Sequence, residues 1–355
     1  MTKSSVNVDE SQKKIKCVVW DLDNTLWDGV LLEDDQVKIR QDVVEVIKVL
    51  DSRGILQSIA SKNDYESANS KLVEFGLDDF FLYPQISWNP KSSSIKKIAS
   101  SINIGIDTFA FVDDQPFELD EVKFTHPDVL CIDAADISGL LDMPEMNPRF
   151  ITDDSKIRRS MYMSDIERKQ QEETFEGTTE EFLASLDMCF KVFPATEDDL
   201  ERAEELTIRT HQLNTTGYTY SYEELNQLRC SNDHLLLVAS LDDRYGSYGK
   251  IGLALVETKP DVWRLKLLLM SCRVMSRGVG SIMINEIMRA ARDAGAALEA
   301  EYIPTDVNRM MYLTYKFGSF NERETSENRI LFEADLSRIP NNPDYLKIQS
   351  GIVSK

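Results

Sequence analysis

The sequence predicts two domains of different fold class, an α/β domain with a parallel sheet and then an α+β domain. A chain of 355 residues is long for a single domain. Its first half alternates short apolar runs with helical patterns, which is typical of a doubly wound parallel sheet. After Met188 the chain instead shows successive strands joined by Asp- and Gly-bearing turns. A second domain with a different architecture is therefore expected.

Each element of the first half has its own signal. Short apolar runs predict strands at KCVVWDL, ILQSIAS, FLYPQISW, DTFAFVDDQ and VLCID. Helical patterns lie between them, at DVVEVIKVLDSRG, YESANSKLVEFGL and SSSIKKIASSINI. The breaker-rich stretch LLDMPEMNPRF follows, and the charged segment from Thr152 to Leu186 predicts a helical bridge without a core of its own.

The second half is predicted in the same way. Strands are expected at CFKVFPAT, HLLLVASLDD, GKIGLALVET, VWRLKLLLMSCRV and LEAEYIP, and helices at EDDLERAEELTIRTHQLN, GVGSIMINEIMRAARDAG and NRMMYLTYKFGSF. The predicted limits are a polar tail at 1–12, the parallel-sheet domain at 13–142, a helical linker at 143–188, the second domain at 189–340 and a C-terminal tail at 341–355.

Composition excludes several classes of function. The formal net charge of −21 argues against a nucleic-acid surface or an anionic membrane as partner. The first residues lack the apolar core of a signal peptide, and five scattered cysteines form no CxxC pair. A zinc site or a disulfide framework is not expected, and a cytoplasmic location fits.

Acidic side chains follow the first predicted strand, in the stretch VVWDLDNTLWDGV. Asp21 and Asp23 occupy alternate positions where the strand turns into a loop, so both carboxylates can face one cation. Mg²⁺ prefers such hard oxygen ligands and often binds together with a substrate phosphate. One aspartate can then attack phosphorus while the other handles the proton of the leaving oxygen.

Further polar residues follow the other predicted strands. Ser61 closes ILQSIAS, Lys91 opens a helix, and Asp113 and Asp114 end the strand FAFVDD. Because ligands bind beyond the carboxyl ends of strands in open parallel sheets, these residues are expected to meet in one crevice. The neighbouring polar side chains are candidates for binding the phosphate: Asn24, Thr25, Lys62 and Asn63.

In this order, DLDNT, Ser61, Lys91 and VDD resemble the four motifs of the haloacid dehalogenase (HAD) superfamily of phosphatases, over about the first 140 residues. The resemblance implies that Asp21 is the nucleophile and Asp23 the general acid and base. It implies that Ser61 and Lys91 hold the phosphoryl group. It also implies that Mg²⁺ is bound by Asp21, by the backbone carbonyl of Asp23 and by Asp114, with Asp113 either a ligand or a neighbour of one.

The spacing of these motifs predicts an open site. Between Asp23 and Ser61 there is room for a hairpin and one helix, and between Ser61 and Lys91 for a helix and a strand. Neither interval holds a separate lid domain, so the HAD-like domain is expected to lack a large cap. An open site suits a substrate carried on a macromolecule or delivered by the second domain.

In the second half, SCRVMSRGVGSIMINEI resembles the coenzyme-binding turn and helix of the GNAT acetyltransferases, and NRMMYLTYKFGSF resembles their last helix. The pattern departs from that family's R-x-x-G-x-G at Met275 and Ser276, which speaks against ordinary acetyl-CoA binding. Free N–H groups at such a helix start suit a pyrophosphate or phosphopantetheine phosphate. A GNAT-like α+β domain is therefore expected.

Nearly the whole chain resembles the FkbH-like family, through DLDNTLWDGVLLEDD, GILQSIASKND, WNPKS, FVDDQPFE, ELTIRTHQLNTTG, KLLLMSCRV and NRMMY. Members of that family are glyceryltransferases and phosphatases of polyketide pathways. The resemblance implies that the glyceryl unit of 1,3-bisphosphoglycerate is transferred to the phosphopantetheine thiol of an acyl carrier protein and that phosphate is removed. The most similar members feed extender units of the methoxymalonyl type.

Some members have a cysteine before S-K-N-D, where this chain has Ala60. Cys272 is therefore the candidate for an acyl-cysteine intermediate, with Arg273 as a phosphate ligand, although a small buried residue explains Cys272 equally well. His211 and Asn214 are candidates for orienting a substrate or for capping a helix.

Two other functions remain open from the sequence. A plain phosphatase whose second domain only binds a regulator or a carrier would need the first half alone. An N-acyltransferase with an inactive first domain is disfavoured by the intact Asp21 and Asp23.

Overall fold

The computed structural model describes residues 15–34, 36–326 and 328–352, apart from the side chains of Cys272 and Ser276. The chain divides into two compact units, Met1–Met163 and Ser164–Lys355. The division falls inside the segment predicted as a helical linker, and the predicted domain limits remain predictions.

The first unit is built on a parallel sheet. Its strands are β1 (Cys17–Trp20), β4 (Leu56–Ser61), β5 (Gln85–Ile86), β6 (Phe109–Asp113) and β7 (Leu130–Asp133), with a hairpin of β2 (Trp27–Asp28) and β3 (Lys38–Ile39). The sheet order is β5-β4-β1-β6-β7, and every pairing in it is parallel. The carboxyl ends of β4, β1 and β6 are therefore neighbours at one edge.

Helices connect these strands: α1 (Gln41–Ser52), α2 (Tyr65–Glu74), α3 (Lys91–Ile102) and α4 (Pro116–Thr125). Helix α1 buries Val43, Ile47 and Leu50, which recur at helical spacing and form one apolar face. Each such side chain stabilises the fold by roughly 1.5–3 kcal/mol on burial. Helix α2 begins after Asp64, whose side chain accepts a hydrogen bond from the backbone N–H of Ser67.

No large cap interrupts the described part of this unit. The interval between Asp23 and Ser61 contains the β2–β3 hairpin and α1, and the interval between Ser61 and Lys91 contains α2, a short 3₁₀ turn and β5. Both intervals match the prediction from motif spacing. The carboxyl edge of the sheet is therefore not covered by an inserted domain.

The predicted helical bridge contains α5 (Asp153–Lys156), α6 (Arg158–Thr174) and α7 (Thr179–Ser185). Part of this segment contributes to the core of the second unit. Phe182 and Leu186 are buried in the core of the second unit, and the buried Arg168 forms an ion pair with Asp243 at 2.6 Å.

The second unit is an α+β domain around a mixed sheet. Its strands are β8 (Cys189–Pro194), β9 (His234–Asp243), β10 (Gly246–Thr258), β11 (Val262–Met270), β12 (Ala297–Tyr302), β13 (Phe320–Ser326), β14 (Arg329–Ala334) and β15 (Lys347–Ser350). Their order is β13-β14-β12-β11-β10-β9-β8-β15, in which β11/β12 and β8/β15 are the parallel pairs. The helices are α8 (Leu200–Arg209), α9 (Tyr222–Cys230), α10 (Val279–Asp293) and α11 (Arg309–Phe317).

Three predictions about this unit were wrong. The segment predicted as a tail from residue 341 contains β15, which pairs with β8. The helix predicted through Asn214 ends at Arg209, because residues 213–215 make sheet-like hydrogen bonds instead. The strand predicted through Val274 ends at Met270, and a 3₁₀ helix (Cys272–Arg277) follows it.

The fold class agrees with the prediction: a parallel α/β sheet unit, without a large cap among its described residues, is followed by an α+β unit. Among the described residues, every helix is too short or too polar to cross a lipid bilayer.

Candidate active site

Three carboxylates and one lysine meet at the carboxyl edge of the first sheet. Asp21 follows β1, Asp113 ends β6, and Lys91 opens α3. The Lys91 Nζ lies 2.9 Å from Asp21 Oδ1 and 2.5 Å from Asp113 Oδ2. All three side chains are at most 4 % exposed. The parallel register of β1 and β6 places these residues side by side, so strand order accounts for the cluster.

Asp114 completes a cluster that fits a divalent cation. Carboxylate oxygens of Asp21, Asp113 and Asp114 lie within 4.8 Å of one another. Asp114 Oδ1 is buried and has no hydrogen-bond partner among the described residues, whereas the Asp113 carboxylate bonds Lys91 and the Gln115 N–H. Three carboxyl groups face one lysine, and hard oxygen donors of this kind suit Mg²⁺. A dianionic phosphate would be repelled without such a cation.

The ionisation of these groups follows from burial. Burial raises the pKa of Asp21, which Lys91 lowers only in part. Burial and the nearby Asp21 raise the pKa of Asp113 to about 7, and the same two causes raise the pKa of Asp114. Burial alone would lower the pKa of Lys91, but the two carboxylates outweigh it and the pKa is raised. Lys91 is therefore charged at neutral pH.

We expect Mg²⁺ to stabilise the protein through this cluster. A saturating cation, at a hundredfold excess over its dissociation constant, contributes about 2.7 kcal/mol. Because the pKa of Asp113 is raised to about 7 from an ordinary value of 3.8, its stability contribution is present at low pH and lost as the pH rises through 7. The metal-free protein should therefore be less stable at pH 8 than at pH 6, and Mg²⁺ should raise the melting temperature more at pH 8.

Thermal unfolding with EDTA or Mg²⁺ at the two pH values measures this. Asp114→Asn should remove most of the Mg²⁺ effect, and the exposed Asp107 provides a matched control, Asp107→Asn. An undiminished Mg²⁺ effect in Asp114→Asn would show that the cation binds elsewhere.

Asp23 is held beside the cluster but its carboxylate is not part of it. Asp23 Oδ1 accepts hydrogen bonds from Trp27 Nε1 at 2.8 Å and from the Leu31 N–H at 3.1 Å. Asp23 Oδ2 accepts one from Asn63 Nδ2 at 3.0 Å. These donors set the direction of the carboxylate, as a general acid and base requires. Its predicted role as a metal ligand through the backbone carbonyl remains a prediction.

The remaining predicted residues of the first unit occupy different places. Ser61 is buried and donates a hydrogen bond to Asp21. Asn24 is exposed, has a φ of 53°, and accepts a hydrogen bond from the Gly29 N–H, so it shapes the hairpin. Thr25 is fully buried, and its Oγ1 has no hydrogen-bond partner among the described residues.

Lys62 has a partner that the sequence did not indicate. Its Nζ lies 2.6 Å from Oε1 of Glu118, a buried residue in the first turn of α4. Glu118 lies four residues after Asp114, within the quoted stretch FVDDQPFE. The sequence signal for this contact was an acidic residue in the first turn of the helix that follows Asp114. Acidic residues are common at helix starts, so this signal alone does not indicate a partner for Lys62.

In the second unit, residues 213–215 lie along the edge of β11. Strands β11 and β12 pair only over residues 262–265 and 297–300. Beyond that point the Thr215 N–H donates to the Leu268 carbonyl at 3.0 Å, and the Met270 N–H donates to the Leu213 carbonyl at 3.0 Å. Residues 213–215 therefore occupy the edge of β11 that β12 leaves unpaired.

Of the two candidates in that loop, Asn214 is buried and His211 is exposed. Asn214 is fully buried, and its Oδ1 accepts hydrogen bonds from the backbone N–H groups of Thr216 and Gly217. Asn308, also buried, donates to the Asn214 carbonyl at 3.0 Å. Neither caps helix α8, which ends earlier.

Cys272 lies two residues after β11, at the start of a 3₁₀ helix, and its side chain is outside the described part of the structure. Its role in forming an acyl-cysteine intermediate stays a prediction. Arg273 donates to the Tyr248 carbonyl at 2.9 Å. Helix α10 starts after Gly278, and a cavity of about 120 Å³ between α10 and α11 is lined by Met270, Gly278, Met310 and others.

No protein-family model matches the chain, and no curated protein does. Among solved structures, the chain is similar to the N-terminal part of a Bacteroides fragilis protein that contains a phosphatase domain complexed with Mg. The identity is 28%, the TM-score is 0.36, and the match covers 38% of this chain and 41% of that one. The chain thus spans less than half of that relative.

Two acetyltransferases are also similar to the chain. One is the ribosomal-protein-S18-alanine N-acetyltransferase of Escherichia coli, with 15% identity and a TM-score of 0.34, and the match covers 43% of this chain and 97% of that one. The other is the paia N-acetyltransferase of Thermoplasma acidophilum in complex with coenzyme A, with 16% identity and a TM-score of 0.35, and the match covers 41% of this chain and 98% of that one. Each similarity extends over less than half of this chain. Fold and site together define a two-domain protein whose first domain carries a carboxylate–lysine cluster suited to Mg²⁺ and phosphate.

Proposed function

We propose that the first unit is a Mg²⁺-dependent phosphatase of phosphate monoesters. The observation that carries this proposal is the buried cluster of Asp21, Asp113 and Asp114 around Lys91. Mg²⁺, held by Asp21, Asp114 and the Asp23 carbonyl, would offset the charge of these carboxylates and of the phosphate. The same chemistry is what the resemblance to HAD phosphatases implies.

The residues of the chain divide the reaction between them. The Asp21 carboxylate attacks phosphorus, and the bond from phosphorus to the ester oxygen breaks. Asp23 gives a proton to the departing oxygen, and then takes one from the water that hydrolyses the phosphoryl-aspartate. Lys91 and Ser61 stabilise the negative charge on the transferred group.

We further propose that the whole chain makes a glyceryl thioester on an acyl carrier protein. The donor would be 1,3-bisphosphoglycerate, whose acyl phosphate is already activated. The carrier's phosphopantetheine sulfur attacks the acyl carbon, the bond from that carbon to the phosphate oxygen breaks, and inorganic phosphate leaves. The first unit hydrolyses the phosphate monoester of the same glyceryl unit. The FkbH-like motifs over both halves support this proposal, and the glyceryl thioester is expected to feed an extender unit of the methoxymalonyl type.

The surroundings of the first site support a large substrate. Exposed apolar side chains lie in the segments that follow β2, β4, β5 and β6: Leu32, Tyr65, Trp88 and Phe117, of which Trp88 is 68 % exposed. Exposed apolar side chains of this kind occur at surfaces that bind a partner larger than a free sugar phosphate. A carrier protein with its bound acyl group has that size.

The test is to incubate the protein with Mg²⁺, freshly generated 1,3-bisphosphoglycerate and phosphopantetheinylated carrier, and to measure the intact mass of the carrier. We expect a glyceryl adduct. The matched control is the same carrier without phosphopantetheine, which should stay unmodified.

An unmodified cognate carrier together with released phosphate would contradict glyceryl transfer and leave a plain phosphatase. Absence of phosphate release from any phosphomonoester would contradict the phosphatase itself. CoA release from acetyl-CoA that depends on an amine would instead indicate an N-acyltransferase.

A further inference from the structure

A second lysine lies beside the candidate phosphate site without belonging to the carboxylate cluster. Lys62 directly follows Ser61 and precedes Asn63, and these two neighbours contact Asp21 and Asp23. In the bend after β4, the Lys62 side chain has a different partner from those of its two neighbours. Its ammonium instead reaches Glu118 on α4. The phosphate site thus has a second cation beside it.

The two lysines differ in how open they are. The Lys91 side chain is 4 % exposed and lies between two carboxylates. The Lys62 side chain is 35 % exposed, while its partner Glu118 is 6 % exposed. Lys91 is therefore positioned for the phosphoryl group inside the site, and Lys62 keeps a solvent-facing side that a substrate can contact.

The burial of Glu118 is energetically unfavourable for one partner of an ion pair whose other partner is partly exposed. Glu118 Oε1 receives Lys62, but the buried Oε2 has no hydrogen-bond partner among the described residues. A buried carboxylate that is only partly satisfied is unfavourable. Lysine has a flexible four-carbon chain, and fixing its ammonium reduces the entropy lost when it binds a ligand. The arrangement is explained if Glu118 serves to aim Lys62.

We propose that Lys62, positioned by Glu118, is a specificity-determining residue that donates a hydrogen bond to a carbonyl or carboxylate oxygen on the carbon chain of the phosphorylated substrate. The inference rests on the proposed phosphatase function of this site. It adds which chemical groups the alcohol portion of the phosphate monoester carries. An ammonium group has only donors, so it matches an oxygen acceptor. The substrate class is the phosphate monoesters of hydroxy acids and of their thioesters.

Binding distinguishes this role without turnover. In the Asp21→Asn background with Mg²⁺, calorimetry compares 3-phosphoglycerate, its N-acetylcysteamine thioester and glycerol 3-phosphate, which lacks the carbonyl oxygen. With Lys62 present, we expect the first two to bind about tenfold more tightly than the third, as a charge-assisted hydrogen bond provides. The carboxylate and thioester arms show whether a charge on the ligand is needed.

Variants of Lys62 and Glu118 test whether this ion pair causes the tighter binding of the two ligands that carry the carbonyl or carboxylate oxygen. Lys62→Met should abolish the preference and leave the affinity for glycerol 3-phosphate within about twofold, and Lys62→Arg should restore part of it. Glu118→Gln should reduce the preference while Lys62 is still present. Lys71 and Glu74 form a similar pair at 2.8 Å on α2, so Lys71→Met is the matched control.

Three results overturn the inference, and a fourth separates it from the proposed function. Equal affinities for the three ligands with Lys62 present, or a preference that survives Lys62→Met, would exclude this role. Equal losses for all three ligands would make Lys62 a phosphate ligand. If the preference depends on Lys62 but the wild-type protein releases no phosphate, the proposed function fails while the binding role stands.

Discussion

Replacing Asp21 by asparagine is expected to lower phosphate release by about a thousandfold or more, as removal of a nucleophile does in other enzymes. Asparagine keeps the size of the side chain but cannot attack phosphorus as a carboxylate does. The loss should appear in kcat for every phosphomonoester tested, because the step is common to all of them. With the carrier assay, a phosphoglyceryl adduct should accumulate on the variant.

The geometry around Asp21 makes this replacement informative. Asp21 is only 3 % exposed and bonds Lys91 and Ser61, so asparagine will stay in the same place. Asp28, an exposed acid at the end of β2, offers the control Asp28→Asn, which should retain activity. Phosphate release and melting temperature should be measured on both proteins. A folded Asp21→Asn protein with substantial phosphatase activity would contradict the assignment of the nucleophile.

The candidate site of the first unit could be predicted because it depends on local patterns. Asp21, Ser61 and Asp113 each end or follow a buried strand, and parallel strands bring such positions to one edge. The partner of Lys62 could not be predicted in this way. The contact with Glu118 depends on how α4 packs against the loop after β4, which no spacing in the sequence specifies.

The second unit shows where local patterns are insufficient. The stretch RTHQLN continues a helical pattern, yet the chain leaves the helix after Arg209. The reason is tertiary: the backbone of Leu213 and Thr215 pairs with the edge of β11, and buried Asn308 holds this segment. Similarly, β15 is short and polar, and its position as a strand depends on pairing with β8.

Replacing Lys91 by methionine is expected to reduce both activity and stability. Removing one stabilising group from a charged transition state costs about 10²–10³ in kcat. Breaking a buried ion pair by removing one partner costs about 3 kcal/mol or more of the free energy of unfolding. Methionine fills the same volume, so the loss of charge rather than a cavity determines the result.

The dependence on pH identifies the cause of the lost stability. The pKa values of Asp21 and Asp113 are already raised by burial, and losing Lys91, which lowers both, will raise them further. A group with a raised pKa contributes stability at low pH and loses that contribution as the pH rises. In EDTA, the deficit of Lys91→Met relative to the wild type should therefore be larger at pH 8 than at pH 5.

Urea unfolding followed by tryptophan fluorescence measures the deficit, since Trp20 and Trp27 are buried in the first core. Lys97 is an exposed lysine on the same helix, so Lys97→Met should change the free energy of unfolding by less than about 0.5 kcal/mol. An equal deficit at both pH values would contradict the electrostatic explanation and make Lys91 a packing residue. A loss of unfolding free energy in Lys91→Met that becomes smaller as the pH falls would show that Lys91 and the ionised carboxylates stabilise one another. The stability of the fold would then depend on the same charges that are proposed to bind Mg²⁺ and phosphate.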